Sequence, residues 1–218
     1  MKPILATLDE AQRELWSDLA PAAHLGFVLY GGTAVALRYG HRLSIDFDFF
    51  SERDLDKVAL RSAMPLLQAS TVLQDSVNTL TVLTASPRPV KLSFFGSLSI
   101  GRVGEPERTD DGVLVVASSL DLLATKWKAR FDRIEAKDYL DIAAIVRGGT
   151  SLDAGLAAGR ALFGSAFQAS EALKALVYFH GGDLEELSAE DRAYLIAAAS
   201  SVRRIPAMQR VSSSLSVG

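Results

Sequence analysis

Residues 42–50, Arg-Leu-Ser-Ile-Asp-Phe-Asp-Phe-Phe, alternate strictly between apolar and polar side chains up to Phe49. Leu43, Ile45, Phe47 and Phe49 share one parity; Arg42, Ser44, Asp46 and Asp48 share the other. Successive side chains of a strand point to opposite faces, so the pattern predicts a strand over 43–50 with one apolar and one acidic face. Two carboxylates two residues apart on one face can hold a hard divalent cation between them. A solvated acidic edge strand fits the same pattern, although aspartate is disfavoured in strands and the like charges repel each other.

The surrounding chain predicts a mixed half followed by a helical half. Thr7 with Glu10 and the apolar repeat Leu8, Ala11, Leu15, Leu19, Ala22 predict a helix over 7–24. Phe27 to Tyr30 reads as a short strand ended by Gly31-Gly32, and Thr33 to Tyr39 as a helix closed by Gly40. Ser51 with Asp54 predicts a helix over 52–68, bent late by Pro65. Strands are expected at 71–74 and 80–84 around a turn at 75–78, then at 90–95, with a hairpin of 100–103 and 113–116. From Ser118 the period becomes helical: 119–132, 136–147, 152–163, 166–179 and 188–203. Ser118–Asp121, Thr150–Asp153 and Ser188–Asp191 mark starts among them, and the serine-rich 211–218 reads as a mobile tail. The expected fold class is therefore α+β: a mixed sheet flanked by helices, then an α-helical C-terminal region, with domains at 1–117 and 118–218.

The Gly31-Gly32 turn lies between a strand and a helix. Glycine lets backbone N–H groups approach an anion, and a helix N-terminus favours negative charge there. Phosphate binding at this turn beside metal binding at Asp46 and Asp48 points to a metal–nucleoside triphosphate. Composition narrows the classes further. The chain has 218 residues, 49% of them hydrophobic, and no cysteine. Disulfides and Cys-ligated zinc or iron–sulfur sites are thereby excluded. The net charge of −3 argues against a broad nucleic-acid surface but not a local one. Met1 to Ala6 is too short in apolar residues for a signal peptide, and no apolar run approaches a membrane span. A soluble cytoplasmic protein is expected.

These residues also carry a family resemblance. Gly31-Gly32, the spacer 33–45 and Asp46-Phe47-Asp48 between apolar residues resemble the signature of the nucleotidyltransferase superfamily. Gly31-Gly32-Thr33-Ala34 with Arg42-x-Ser44-x-Asp46-Phe47-Asp48 looks more closely like the AbiEii/AbiGii toxin family of nucleotidyltransferases. That family adds a later lysine and a basic–Asp pair. They match Lys126 in Leu123-Ala124-Thr125-Lys126, and Lys137-Asp138 in Arg133-x-x-x-Lys137-Asp138-Tyr139-x-Asp141. The resemblance runs over about 26–147. It implies a nucleotidyltransferase-like core, completed by the helical domain. It implies metal-dependent transfer of a nucleoside monophosphate from a triphosphate to an acceptor, with RNA such as tRNA as the expected acceptor. It also implies Mg²⁺ or Mn²⁺ on Asp46 and Asp48, and catalytic roles for those two with Lys126 and Asp138. Gly31, Gly32, Thr33, Arg42, Ser44 and Lys126 would bind the nucleotide. A cognate antitoxin would be the protein partner, with no membrane involved. Many nucleotidyltransferases carry a third carboxylate on a later strand; the matching position on 90–95 looks like Ser93.

Taken singly, the later residues have plainer readings. Lys126 could be a solvated lysine, and Asp138 with Asp141 could serve the start of helix 136–147. Lys126, Lys128, Arg130, Arg133 and Lys137 form a basic segment interrupted by Asp132, Glu135 and Asp138. It reads as a salt-bridged face or as a docking strip for phosphates. Phe131 and Tyr139 read as core, and His24, His41 and His180 receive no role. Two other functions share the core motif. An antibiotic nucleotidyltransferase of aminoglycoside type would need an acidic pocket, for which Glu171, Asp183, Glu185 and Glu186 are the scattered candidates. A catalytically weak nucleotide-binding module would be consistent with Ser93.

Overall fold

The computed structural model describes residues 1–85, 88–132 and 134–216, with the backbone alone at 130–132. Arg133, the side chains of Arg130, Phe131 and Asp132, and the end of the expected tail at 217–218 lie outside the described residues. The chain divides into two compact units, Met1–Gly101 with Glu105–Ser118 and Ser212–Gly218, and Arg102–Gly104 with Ser119–Val211.

The first unit holds a seven-stranded mixed sheet. Its strands are β1 (Val28–Tyr30), β2 (Asp46–Phe50), β3 (Thr71–Ser76), β4 (Thr79–Leu83), β5 (Lys91–Phe95), β6 (Glu107–Arg108) and β7 (Val115–Val116), in the order β3-β4-β5-β2-β1-β7-β6. β2 lies centrally, antiparallel to β1 and parallel to β5. Its odd positions form the core face: Phe47 and Phe49 are buried with Leu29, Leu80, Val82, Leu92 and Phe94. Phe49 stacks on Phe94 at 5.0 Å, and Trp16 meets Phe47 at 6.5 Å. Trp16 also donates from its indole N–H to Asp111, which satisfies the one polar atom such a ring carries into a core.

The strand that carries the aspartates is shorter than its alternation suggests. It begins at Asp46, and Leu43 and Ile45 are about two-thirds exposed at 66% and 65%, while Ser44 is buried. The polar contact of Ser44 explains the inversion: its hydroxyl pairs with Thr33 Oγ1 at 2.8 Å, and that bond turns the odd side chains of 43–45 outward.

The N-terminal helix is broken into pieces. Asp9, not Thr7, caps α1 (Glu10–Glu14) in a capping box with Gln12. A 3₁₀ turn over Trp16–Leu19 separates it from α2 (Ala20–His24), where Pro21 occupies the first turn; proline suits that place because it has no N–H to leave unpaired. The Thr7 hydroxyl donates locally to the Ile4 carbonyl. α3 (Gly31–Tyr39) follows β1 directly and ends at Gly40. Asp56, rather than Ser51 with Asp54, caps α4 (Lys57–Ala63), and Pro65 starts a separate 3₁₀ turn, Pro65–Leu67. The expected hairpin of 100–103 with 113–116 is instead β6 with β7. The tail packs on this unit: Leu215 is fully buried and its N–H donates to Glu52.

The second unit is helical: α5 (Ser119–Asp132), α6 (Ala136–Arg147), α7 (Leu152–Phe163), α8 (Ala169–Leu176) and α9 (Ala189–Ser201). α8 and α9 are thus shorter than the expected 166–179 and 188–203, because a 3₁₀ turn precedes α8 and no helix runs past Ser201. Ser188 caps α9 by accepting from the Asp191 N–H, as its spacing predicts. At α7 the capping position falls on Ser151 rather than Thr150. Arg102–Gly104 belongs here because Asp121 on α5 accepts from the Val103 and Gly104 amides at 2.8 and 3.2 Å. Val103 then packs with Ala124, Ala158 and Leu162. Among the described residues no helix is long and apolar enough to cross a membrane.

Candidate active site

The acidic face of β2 lies against the glycine turn. β1 and β2 pair so that Tyr30 stands level with Asp48, and the chain leaves β1 straight into α3. Gly31 is the first helical residue, at φ +72, a backbone state that an L side chain enters at a cost of roughly 1–2 kcal/mol. A Cβ on Gly31 would collide with Asp48 Oδ2, and one on Gly32 would collide with Arg42 Nη2. The two glycines therefore do different work. Gly31 supplies the left-handed turn and admits the Asp48 carboxylate, while Gly32 admits the Arg42 guanidinium to within touching distance of the helix backbone.

Behind this surface the hydroxyl groups are committed. Thr33 is fully buried, and its Oγ1 donates to the Asp46 carbonyl while pairing with Ser44 Oγ. A carbonyl can only accept, so the Thr33 proton goes to Asp46 and the Ser44 proton goes to Thr33. The pair pins the start of β2 to the first turn of α3. Arg42 is steadied by donation from Nη1 to the Leu43 carbonyl at 2.9 Å.

The neighbouring strand β5 completes the face. Asp46 stands level with Lys91 and Asp48 level with Ser93, and residues level across a sheet share a face. Lys91 Nζ lies 2.7 Å from Asp46 Oδ2. Lys91 is a neighbour of the aspartates to which the sequence pattern alone assigns no role. Its parity relative to Ser93 was the available signal, because position 91 lies on the aspartates' face whenever 93 does.

The second unit gathers the other motif residues. On α6, Asp138 and Asp141 are one turn apart and thus on one face, and both are fully buried. Lys126 of α5 reaches both, with Nζ 3.0 Å from Asp138 Oδ1 and 2.5 Å from Asp141 Oδ2. Lys126 is itself only 4% exposed, so the solvated reading of this lysine is wrong. Asp141, which the motif comparison quoted without giving it a role, is as close a partner of Lys126 as Asp138 is. Lys137 turns outward to Glu135 at 2.9 Å. Tyr139 is buried, with its hydroxyl donating to the Ala175 carbonyl. The acidic candidates for a drug pocket have local partners: Asp183 caps the start of α6 by accepting from Ala136 N–H, and Glu171 pairs with Lys174. A cleft of about 530 Å³ in this unit is lined by Asp153, Tyr194, Arg203 and Arg204 among others, none of them a motif residue.

The donor set on β2 suits a hard divalent ion carried with a triphosphate. Among the described residues no group of three or more His, Cys, Asp or Glu could hold a metal. Magnesium, however, takes one or two carboxylates and fills the remaining positions with waters and phosphate oxygens. Without a Cβ at Gly31 and Gly32, the Asp48 carboxylate and the Arg42 guanidinium lie directly against the start of α3.

The fold is nucleotidyltransferase-like. A crystal structure of an antigenic nucleotidyltransferase-like protein from Paracoccidioides brasiliensis superposes with a TM-score of 0.58 at 17% identity, covering 89% of this chain and 94% of that one. The sequence places the protein more narrowly. The family described as nucleotidyl transferase AbiEii toxin, type IV TA system, matches residues 14–206, and the chain belongs to it. An uncharacterised protein of Aquifex aeolicus (strain VF5) is 33% identical over 123 residues, a match spanning 56% of this chain and 58% of that relative's length.

Proposed function

We propose that the protein is a metal-dependent nucleotidyltransferase that moves a nucleoside monophosphate from a triphosphate to an RNA acceptor such as tRNA. In this reading it serves as the toxin of a toxin–antitoxin pair and is held in check by a cognate antitoxin. The observation that carries the reading is the seat of Asp48 against Gly31 at the start of α3, with Asp46 on the same strand face. It joins a carboxylate pair to a helix N-terminus, and so a metal subsite to a phosphate subsite.

Magnesium or manganese, when bound, neutralises the triphosphate and polarises the α-phosphorus. The chain's own residues do the rest. Asp46 and Asp48 supply the carboxylate oxygens. The backbone amides at Gly31 and Gly32 face the phosphate oxygens, and Arg42 adds a guanidinium beside them. Thr33 and Ser44 act by position, since their hydroxyls hold Asp46 in place. We also assign catalytic importance to Lys126 and Asp138, which the second unit holds together with Asp141 as a buried ion pair. The acceptor hydroxyl oxygen forms a bond to the α-phosphorus, and the bond from that phosphorus to the oxygen bridging the α- and β-phosphorus atoms breaks. Pyrophosphate leaves, and the hydroxyl proton passes to solvent.

The test is incubation with each α-labelled triphosphate, Mg²⁺ and total RNA. Label should enter the RNA with the wild type and not with Asp46→Asn or Asp48→Asn, whose melting midpoints should stay within about 4 °C of the wild type. Transfer that survives either substitution would refute the assignment. Label on an aminoglycoside but not on RNA would replace the acceptor.

A further inference from the structure

The Asp46 carboxylate already has a cation at its side, and that cation belongs to the chain. Lys91 stands level with Asp46 on the adjoining parallel strand, and its Nζ lies 2.7 Å from Asp46 Oδ2. The contact is not sealed: the two side chains are 37% and 34% exposed. An exposed ion pair is held weakly. A lysine ammonium is also a compact charge on a flexible stem, able to move several ångströms without any change of backbone. The next position on this face of β5 is Ser93, level with Asp48. The face thus combines two carboxylates on β2 with an ammonium and a hydroxyl on β5. The contrast with Lys126 is informative, because that lysine is buried between two carboxylates and cannot leave them cheaply.

We propose that Lys91 is an exchangeable counter-ion of the metal site. Its ammonium and a divalent ion compete for Asp46, and when the ion takes the carboxylate, Lys91 turns to the polyphosphate that arrives with it. This rests on the nucleotidyltransferase reading and deepens it. A site that carries its own competing cation binds bare metal weakly and metal–triphosphate well, because only the triphosphate offers the displaced ammonium a new partner. Ligand charge count sets the affinity of carboxylate sites for hard cations, and Lys91 lowers the effective charge presented by Asp46.

Titration with Mn²⁺ alone, followed by the paramagnetic resonance signal of the unbound ion, reads this without any turnover. Lys91→Met should bind Mn²⁺ about threefold to tenfold more tightly than the wild type, the range expected for removing one exposed charge near a divalent ion. Lys91→Arg, which keeps the charge, should stay near the wild-type value. In an Asp46→Asn background the Lys91→Met gain should vanish. In turnover at saturating metal, Lys91→Met should raise KM for the triphosphate. Unchanged or weaker Mn²⁺ binding by Lys91→Met would overturn the proposal, as would a gain that persists with Asp46→Asn. Failure here with transfer still dependent on Asp46 would leave the nucleotidyltransferase reading standing. Transfer independent of Asp46 would remove that reading whatever Lys91 does.

Discussion

Replacing Lys126 by methionine should cost the second unit far more than replacing Asp46 costs the first. Lys126 is 4% exposed and shared by two carboxylates that are themselves fully buried. Removing one partner of a buried ion pair costs about 3–5 kcal/mol, because the remaining charge loses its compensation. The Asp46–Lys91 pair is about one-third exposed on both sides, and pairs of that kind are worth about 0–1 kcal/mol. For a chain of this size each 1 kcal/mol moves a melting midpoint by about 2–4 °C. Lys126→Met should therefore lower the second unit's transition by roughly 6–20 °C, and Asp46→Asn should lower its own by no more than about 4 °C. Calorimetry reads both, and hydrogen exchange at the amides of α5 and α6 assigns the loss to the right unit where the two unfold separately. A Lys126→Met protein melting within about 2 °C of the wild type, with α6 amides equally protected, would show that the buried lysine does not hold α5 and α6 together. The practical consequence is that inactivity of a Lys126 variant first reports folding. Inactivity of Asp46 and Asp48 variants reports chemistry.

Gly31→Ala should fail differently. The positive φ adds about 1–2 kcal/mol of strain, and the new methyl must displace Asp48. Transfer should fall far more than the melting point, and near wild-type transfer would show that the Asp48 seat is dispensable. Arg38 and Glu107 provide a pH signature. The Glu107 carboxyl is held below its usual range by the Arg38 hydrogen bond, against some opposition from burial, with the positive charges of Arg38 and the chain amino terminus helping. Stability from this contact is thus fully present above the unfolded carboxylate pKa and is lost as pH falls through the lower folded value. The wild type should exceed Glu107→Gln in urea midpoint at neutral pH, and the gap should close in acid. A gap that stays constant into acid would contradict the linkage.

What the sequence revealed depended on period and on paired signals. The parity of Phe47 and Phe49 placed the core face of β2 correctly, and helical periods placed α5, α6 and α7 to within a residue. Capping spacings were less decisive, because several competing Ser, Thr and Asp residues lie close together; Asp9 and Asp56 won over Thr7 and Ser51. Leu43 and Ile45 misled because a buried hydroxyl pair, Thr33 with Ser44, outweighed alternation at the strand entrance. Lys91 and Asp141 were hidden for another reason. The parity of Lys91 with Ser93 is legible, but which strand adjoins β2 in what register, and which helix faces which, are not written in local sequence.

The protein should transfer a nucleotide rather than a terminal phosphate. Running the wild type with the same triphosphate labelled at either the α or the γ position distinguishes the two. Only the α label should reach the acceptor, and the γ label should appear in pyrophosphate, in equal amount. Label from the γ position on the acceptor, or α label appearing only in free nucleoside diphosphate, would contradict nucleotide transfer.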